Sequence, residues 1–291
     1  MKLYAYPSLG RAGFGNELFP YTRALVWAEA SGALLIAPTW PSLRLGPYLR
    51  RERDKRHYQS ILRPMGLSGA KKLATLSLLP RHVEDELQVA PLEHGVVVFR
   101  GMRSLFCDLP EDVSLVRGAL LAQRQQQHDY RAGLPARSYV GVHVRFGDFA
   151  QAHLGSSLDG ATNVRLPLEW YVEALELLRE GVRQEVPALV SSDATDSELG
   201  MLLRLPGVRR TPSRNDALSD ILALSDASAL ITSNSSFSGW GSYLGAVPSL
   251  WYPGQKKYWS GPASKNETWC DGGELEESWL GRVRAKLALR S

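Results

Sequence analysis

Tyr139-Val140-Gly141-Val142-His143-Val144-Arg145-Phe146-Gly147-Asp148 alternates apolar and small or polar residues with period two, the pattern of a β-strand. Val140, Val142, Val144 and Phe146 share one face, which would enter a core. Gly141, His143 and Arg145 share the other, with the two polar side chains roughly 7 Å apart. Gly147 permits a sharp turn, and Asp148 sits just beyond it. Ligands of open α/β sheets bind outside the carboxyl ends of the strands, so a cation at this strand end points to an anionic ligand. A plainer alternative makes Arg145 and Asp148 a surface ion pair and His143 a satisfied loop residue.

Outward from this strand the chain alternates strands and helices, which predicts parallel sheets and an α/β fold. Leu3 to Tyr6 reads as a strand, Gly10, Gly13 and Gly15 as a flexible loop, Asn16 to Ser31 as a helix stopped by Gly32, and Leu34 to Ala37 as a second strand. Such a glycine loop lets backbone approach a ligand, and the helix N-terminus after it offers unpaired N–H groups. Its spacing is G-x-x-G-x-G rather than the dinucleotide G-x-G-x-x-G, and the second strand ends in Ala37-Pro38 with no acidic residue for a ribose.

The polar run Gln123 to His128 and the Gly- and Pro-containing Arg131 to Arg137 mark a boundary, giving domains over 1–135 and 136–272 with a C-terminal helical segment over 273–291. In the second domain Pro167 opens a helix in which Tyr171, Ala174, Leu175 and Leu178 form the apolar stripe. Ala188 to Val190 is a strand ending in Ser191-Ser192-Asp193. A helix over 217–224 and a strand over 229–232 follow, and Ser233-Asn234-Ser235-Ser236-Phe237 reads as a loop leading into Gly239 to Leu244. Val247 to Trp251 is the next strand. The last helix, near 274–289, would cross the surface or return to the first domain.

Composition narrows the function classes. With 291 residues, 44% hydrophobic and 22% charged, the chain suits two α/β domains and excludes disorder. A net charge of +4 from 34 basic and 30 acidic residues sets up no global field for nucleic acid, while a pI near 9.1 accommodates an acidic substrate. Leu49 to His57 packs five Lys or Arg against two acids: a solvated face, or a patch for an anionic acceptor or a membrane surface. Cys107 and Cys270 are far apart and without CxxC spacing, which fits a reducing compartment. No apolar run of membrane-spanning length and no export signal is visible, so a cytoplasmic protein, at most peripheral at a membrane, is expected. The acceptor patterns at Asn234 and Asn266 carry little weight in such a chain.

Familiar chemistries drop out in turn. The chain has no G-x-x-x-x-G-K-[ST] loop, H-E-x-x-H helix, zinc-type Cys/His set, G-x-S-x-G elbow or D-x-D pair. A guanidinium, serine hydroxyls and helix-start N–H groups remain, a set that can hold a diphosphate without a metal ion.

Four segments then carry a resemblance. Gly13-Phe-Gly15-Asn16-Glu17-Leu-Phe19, Val142-His143-Val-Arg145-Phe-Gly-Asp148, Leu166-Pro-Leu-Glu-Trp-Tyr171 and Ser233-Asn-Ser-Ser-Phe-Ser-Gly-Trp240-Gly-Ser-Tyr-Leu244 are similar, in order, to G-x-G-N-Q-L-F, H-V-R-R-G-D, L-P-x-x-Y-Y and N-S-T-F-S-W-W-G-A-Y-L of the α-1,2-fucosyltransferases of glycosyltransferase family 11. They span residues 13 to 244. Phe146 stands where the family has a second arginine, Glu17 where it has glutamine, and Gly239 where it has a first tryptophan. Strand geometry sends Phe146 into the core and leaves Arg145 at the ligand.

The resemblance implies a GT-B-like fold of two Rossmann-like domains with a cleft between them, the first domain on the acceptor side. It also implies a metal-independent, inverting transfer of fucose from GDP-fucose, with no further cofactor, to a hydroxyl of a glycan or glycolipid. In that reading Arg145, Ser235, Ser236 and the N–H groups opening the helix at Ser238 receive the leaving diphosphate, with Gly15 and Asn16 reaching it from the glycine loop. His143 would contact ribose or phosphate, Asp193 the ribose or guanine edge, and Asn234 and Phe237 the nucleotide. Asp148, whose main task would be to orient Arg145, and Glu17 are the carboxylates available as general base. Rival readings keep the fold with another nucleotide sugar, or make the chain a catalytically weak nucleotide or glycan receptor, or a basic interaction protein using residues 49–57. Oligomeric state is not legible.

Overall fold

Parallel strands buried on both faces organise this chain, as a computed structural model shows for residues 2–40, 58–88, 92–125, 129–147, 149–151, 164–212, 216–254, 266–270 and 273–289. The basic run at 49–57 and Asp148 lie outside the described residues. The chain divides into two compact units, the second beginning, among described residues, at 129.

In the first unit β1 (Leu3–Pro7) leads through the glycine loop into α1 (Phe14–Ser31), then β2 (Leu34–Leu35), α2 (Gly69–Leu78), β3 (Arg81–Val83), β4 (Gly95–Phe99) and α3 (Ser114–Gln123). The strands form a parallel sheet in the order β2-β1-β4-β3. Helix α1 starts two residues before the sequence expectation, with Gly13 as N-cap, so Gly15 and Asn16 belong to its first turn rather than to a loop. Its stop at Gly32 (φ 68°) is as expected, because only a residue without Cβ adopts that conformation without strain. The strand expected over 34–37 shortens to two residues, and Ile36 bridges Leu67 instead.

The second unit holds β5 (Val140–Val144), the short pair β6 (Ala150–Gln151) and β7 (Val164–Arg165), then α4 (Leu168–Val182), β8 (Ala188–Ser192) and α5 (Gly200–Leu203). It continues through β9 (Val208–Arg210), α6 (Ala217–Ser225), β10 (Ala229–Ile231), α7 (Ser236–Gly245), β11 (Ser249–Trp251), β12 (Glu267–Trp269) and α8 (Glu277–Ala288). Six strands run parallel in the order β12-β11-β10-β5-β8-β9. Chain order builds outward from β5 to β9, then restarts on the other side with β10. The topological switch therefore falls between β5 and β10.

Every residue of β5 is buried, so the face with Gly141 and His143 is covered as well as the valine face, as in parallel sheets. Val140, Val142, Val144 and Phe146 enter a core with Trp170, Tyr171, Ala174, Leu175 and Leu178 of α4, which confirms the inward place expected for Phe146. Trp279, Leu280, Val283 and Leu287 of α8 join the same core, so the last helix packs on the second unit. On the opposite face Gly141 lets α6 and β10 press close: a Cβ there would lie 2.6 Å from Leu230 Cδ2 and 3.2 Å from Leu224 Cδ2. Among the described residues no helix is long and apolar enough to cross a membrane.

Candidate anion site at the strand ends of the second unit

Three strand ends meet at the switch point. Strand β5 delivers Arg145, β8 delivers Asp193 and β10 delivers the serine loop into α7.

Arg145 Nη1 lies 2.9 Å from Asp193 Oδ2, while the other oxygen, Asp193 Oδ1, accepts the Phe146 N–H at 2.8 Å. One carboxylate thus fixes the guanidinium and the backbone beside it. Asp193, the residue for which a ribose or guanine contact was expected, thus orients Arg145 among the described residues, outside which Asp148 lies. Registry explains the pairing: His143 and Val144 pair with Ser191 and Ser192, so residues 145 and 193 leave adjacent strands side by side. Gly147 is needed for closeness rather than for its turn, since a Cβ there would lie 2.1 Å from Asp193 Oδ2. The loop after β8 is held in its turn by Arg210, whose Nη2 donates to the carbonyls of Ser192 (2.7 Å) and Ala194 (2.6 Å).

His143 is buried beneath the serine loop rather than standing beside Arg145 at a ligand edge. Its Nδ1 lies 2.8 Å from Ser238 Oγ and 2.9 Å from Ser233 Oγ, and the Ser233 N–H donates to Ser238 Oγ at 3.0 Å. Phe237 stacks on the imidazole with ring centroids 5.6 Å apart. Burial pushes the His143 pKa down to about 3, with nearby Arg145 pushing the same way, so the ring is neutral near pH 7 and offers no charge to a phosphate. Its geometry makes it the pin between β5 and the start of α7.

Helix α7 begins at Ser236, two residues earlier than the N–H cluster expected at Ser238. Ser235 is its N-cap, with Oγ accepting the Phe237 N–H at 3.3 Å. Asn234, Ser235 and Ser236 are nearly buried around that helix start. The first-turn N–H groups and the helix dipole make such an end attractive to anions. Strand β5 pairs with β10, Val142 against Ile231, so the Arg145 guanidinium, with five donors and ion-paired to Asp193, leaves the strand next to the one that leads into this helix.

The first unit carries the remaining expected residues, and its loop is described by itself. Glu17, nearly buried, accepts N–H groups from Gly10 and Ala12, both at 2.7 Å, and so closes the glycine loop on itself. Gly15 is buried and Asn16 half-buried in the first turn of α1. Sequence reasoning missed Ser233 as a partner of His143, and Arg165 and Arg210 as holders of strand-end loops. Their contacts join separate strands, and no local spacing marks them. No group of acidic, His and Cys side chains suited to a metal ion occurs among the described residues.

Two α/β units with parallel sheets, the second in the dinucleotide-type strand order, define the GT-B class of fold. Solved structures share it. The crystal structure of NodZ α-1,6-fucosyltransferase co-crystallised with GDP matches with a TM-score of 0.52 at 14% identity, over 88% of this chain and 97% of that one. The same enzyme soaked with GDP-fucose gives 0.50 at 16%, over 87% and 96%. Selenomethionine NodZ from Bradyrhizobium gives 0.51 at 16%, over 87% and 95%. No family model matches the chain, and no curated protein does.

Proposed function

We propose that the chain is an inverting fucosyltransferase that uses GDP-fucose and needs no metal ion. The observation that carries this reading is the Arg145–Asp193 pair beside the start of α7, at the switch point of a fold shared with a protein whose structures hold GDP and GDP-fucose. The acceptor hydroxyl attacks the anomeric carbon, the bond to the diphosphate breaks, and GDP leaves. Arg145, Ser235, Ser236 and the first N–H groups of α7 receive the charge that grows on the leaving phosphate. Groups already aimed at developing charge need no reorganisation, and each is worth about 10²- to 10³-fold in rate. Asp193 and His143 hold these groups in place. With Glu17 engaged by its own loop, Asp148 is the carboxylate assigned to take the acceptor proton, and the first unit is the acceptor side.

The finer assignment is α-1,2 transfer to a glycan or glycolipid by a cytoplasmic enzyme, supported by the likeness of Ser233 to Leu244 to the family 11 motif. The test is hydrolysis and transfer with a panel of nucleoside diphosphate sugars, in EDTA and with magnesium, followed by linkage analysis of the product. GDP-fucose turnover at equal rates in EDTA and magnesium is the expected result. Turnover of a different nucleotide sugar alone would reassign the donor, and a strict magnesium requirement would refute the metal-free site.

A further inference from the structure

Two arginines and two phenylalanines interleave at the end of β5, and the outer arginine has no task in the scheme above. Arg165, from β7, donates from Nε to the carbonyl of Phe149 at 2.8 Å and from Nη2 to the carbonyl of Gly147 at 3.2 Å. Its guanidinium carbon lies 5.6 Å from the ring centroid of Phe146, and the guanidinium carbon of Arg145 lies 5.5 Å from that of Phe149. The Phe149 N–H closes the turn onto the Phe146 carbonyl at 3.1 Å. Residues 150 and 151 then pair in parallel with 164 and 165, which fixes Arg165 alongside.

We propose that Arg165 is a positioning residue of the anion site: by clamping the turn that carries Phe149, it sets the ring against which the Arg145 guanidinium rests. Arg145 is then held from two sides, by Asp193 through an ion pair and by Phe149 through its ring face. The task requires a guanidinium. A planar fork can reach two carbonyls while lying on a ring, and an ammonium cannot. This inference rests on the reading of Arg145 as the diphosphate-binding group, and its test separates the two.

The variants are R165K, which keeps the charge, R165M, which keeps the apolar cover of Phe146, and F149L, which removes the ring. The first readout needs no ligand: solvent exchange of the Arg145 Nε–H in ¹⁵N-arginine-labelled protein, with its signal assigned by R145K. The second is kcat and KM for transfer from GDP-fucose. Expected are a severalfold faster Arg145 exchange in all three variants and a kcat lower by roughly 10²-fold in R165K and R165M, the size of effect a 1 Å misplacement produces. Recovery by lysine would reduce Arg165 to a local charge, recovery by methionine would reduce it to packing, and unchanged Arg145 exchange would overturn the proposal outright. If exchange responds while the wild-type protein turns over no GDP-sugar, the positioning stands and the donor assignment falls.

Discussion

The two units each present a loop after their first strand, at a switch in strand order, yet they treat a carboxylate in opposite ways. In the first unit Glu17 turns back on Gly10 and Ala12 of its own loop and satisfies backbone donors. In the second, Asp193 arrives from a neighbouring strand and holds a cation, Arg145, together with the Phe146 N–H. A carboxylate that closes its own loop fixes the shape of that loop's backbone. One that grips an arginine yields a charge fixed in position before any ligand arrives. The contrast is the reason for proposing anion binding in the second unit.

The largest effect that would break this comparison belongs to Arg145→Ala, for which transfer is expected to fall at least 10²- to 10³-fold in steady-state kinetics while thermal unfolding stays close to wild type. Gly147→Ala comes next. Its Cβ must displace the Asp193 carboxylate, so roughly 10²-fold lower kcat is expected, with a crystal structure showing the Arg145–Asp193 pair broken. Glu17→Gln replaces two acceptor oxygens by one acceptor and one donor, leaving a loop N–H unmatched. Denaturant unfolding should show a loss of about 1–3 kcal/mol, and a large loss of kcat with unchanged stability would instead make Glu17 the base.

Two smaller effects sharpen the picture on the two faces of β5. Its pKa is lowered on folding from 6.5 to about 3, so between those values the unfolded chain binds the extra proton. The associated stability is therefore fully present above pH 6.5 and is lost as pH falls toward 3, with a slope near 1.4 kcal/mol per pH unit from this group. His143→Gln should remove that component from the pH dependence of urea unfolding. The hydroxyl of Tyr171, buried with no hydrogen-bond partner among the described residues and with its pKa raised by burial, should cost stability where it stands. Tyr171→Phe is expected to leave denaturant stability unchanged or raise it by up to about 1 kcal/mol.

What was legible in the sequence was what local pattern controls. Period-two alternation revealed β5, a 3.6-residue stripe revealed α4, and Gly32 marked the end of α1. The inward course of Phe146 followed from strand geometry alone. Three features were not legible because they depend on which elements become neighbours. Helix α4 covers one face of β5 and α6 and α7 cover the other, which buries His143. Registry with β8 brings Asp193 to Arg145, and β7 returns with Arg165 to a turn that sequence reading associated only with Gly147. Gly147 shows the difference best: the residue was singled out for its turn, and its structural reason is a carboxylate from another strand.

Calorimetric titration of GDP into the wild-type chain and Arg145→Ala, in EDTA, tests the central claim most directly. The account expects saturable one-site binding by the wild type and affinity at least tenfold weaker in the variant. Equal affinity in the two proteins would contradict it.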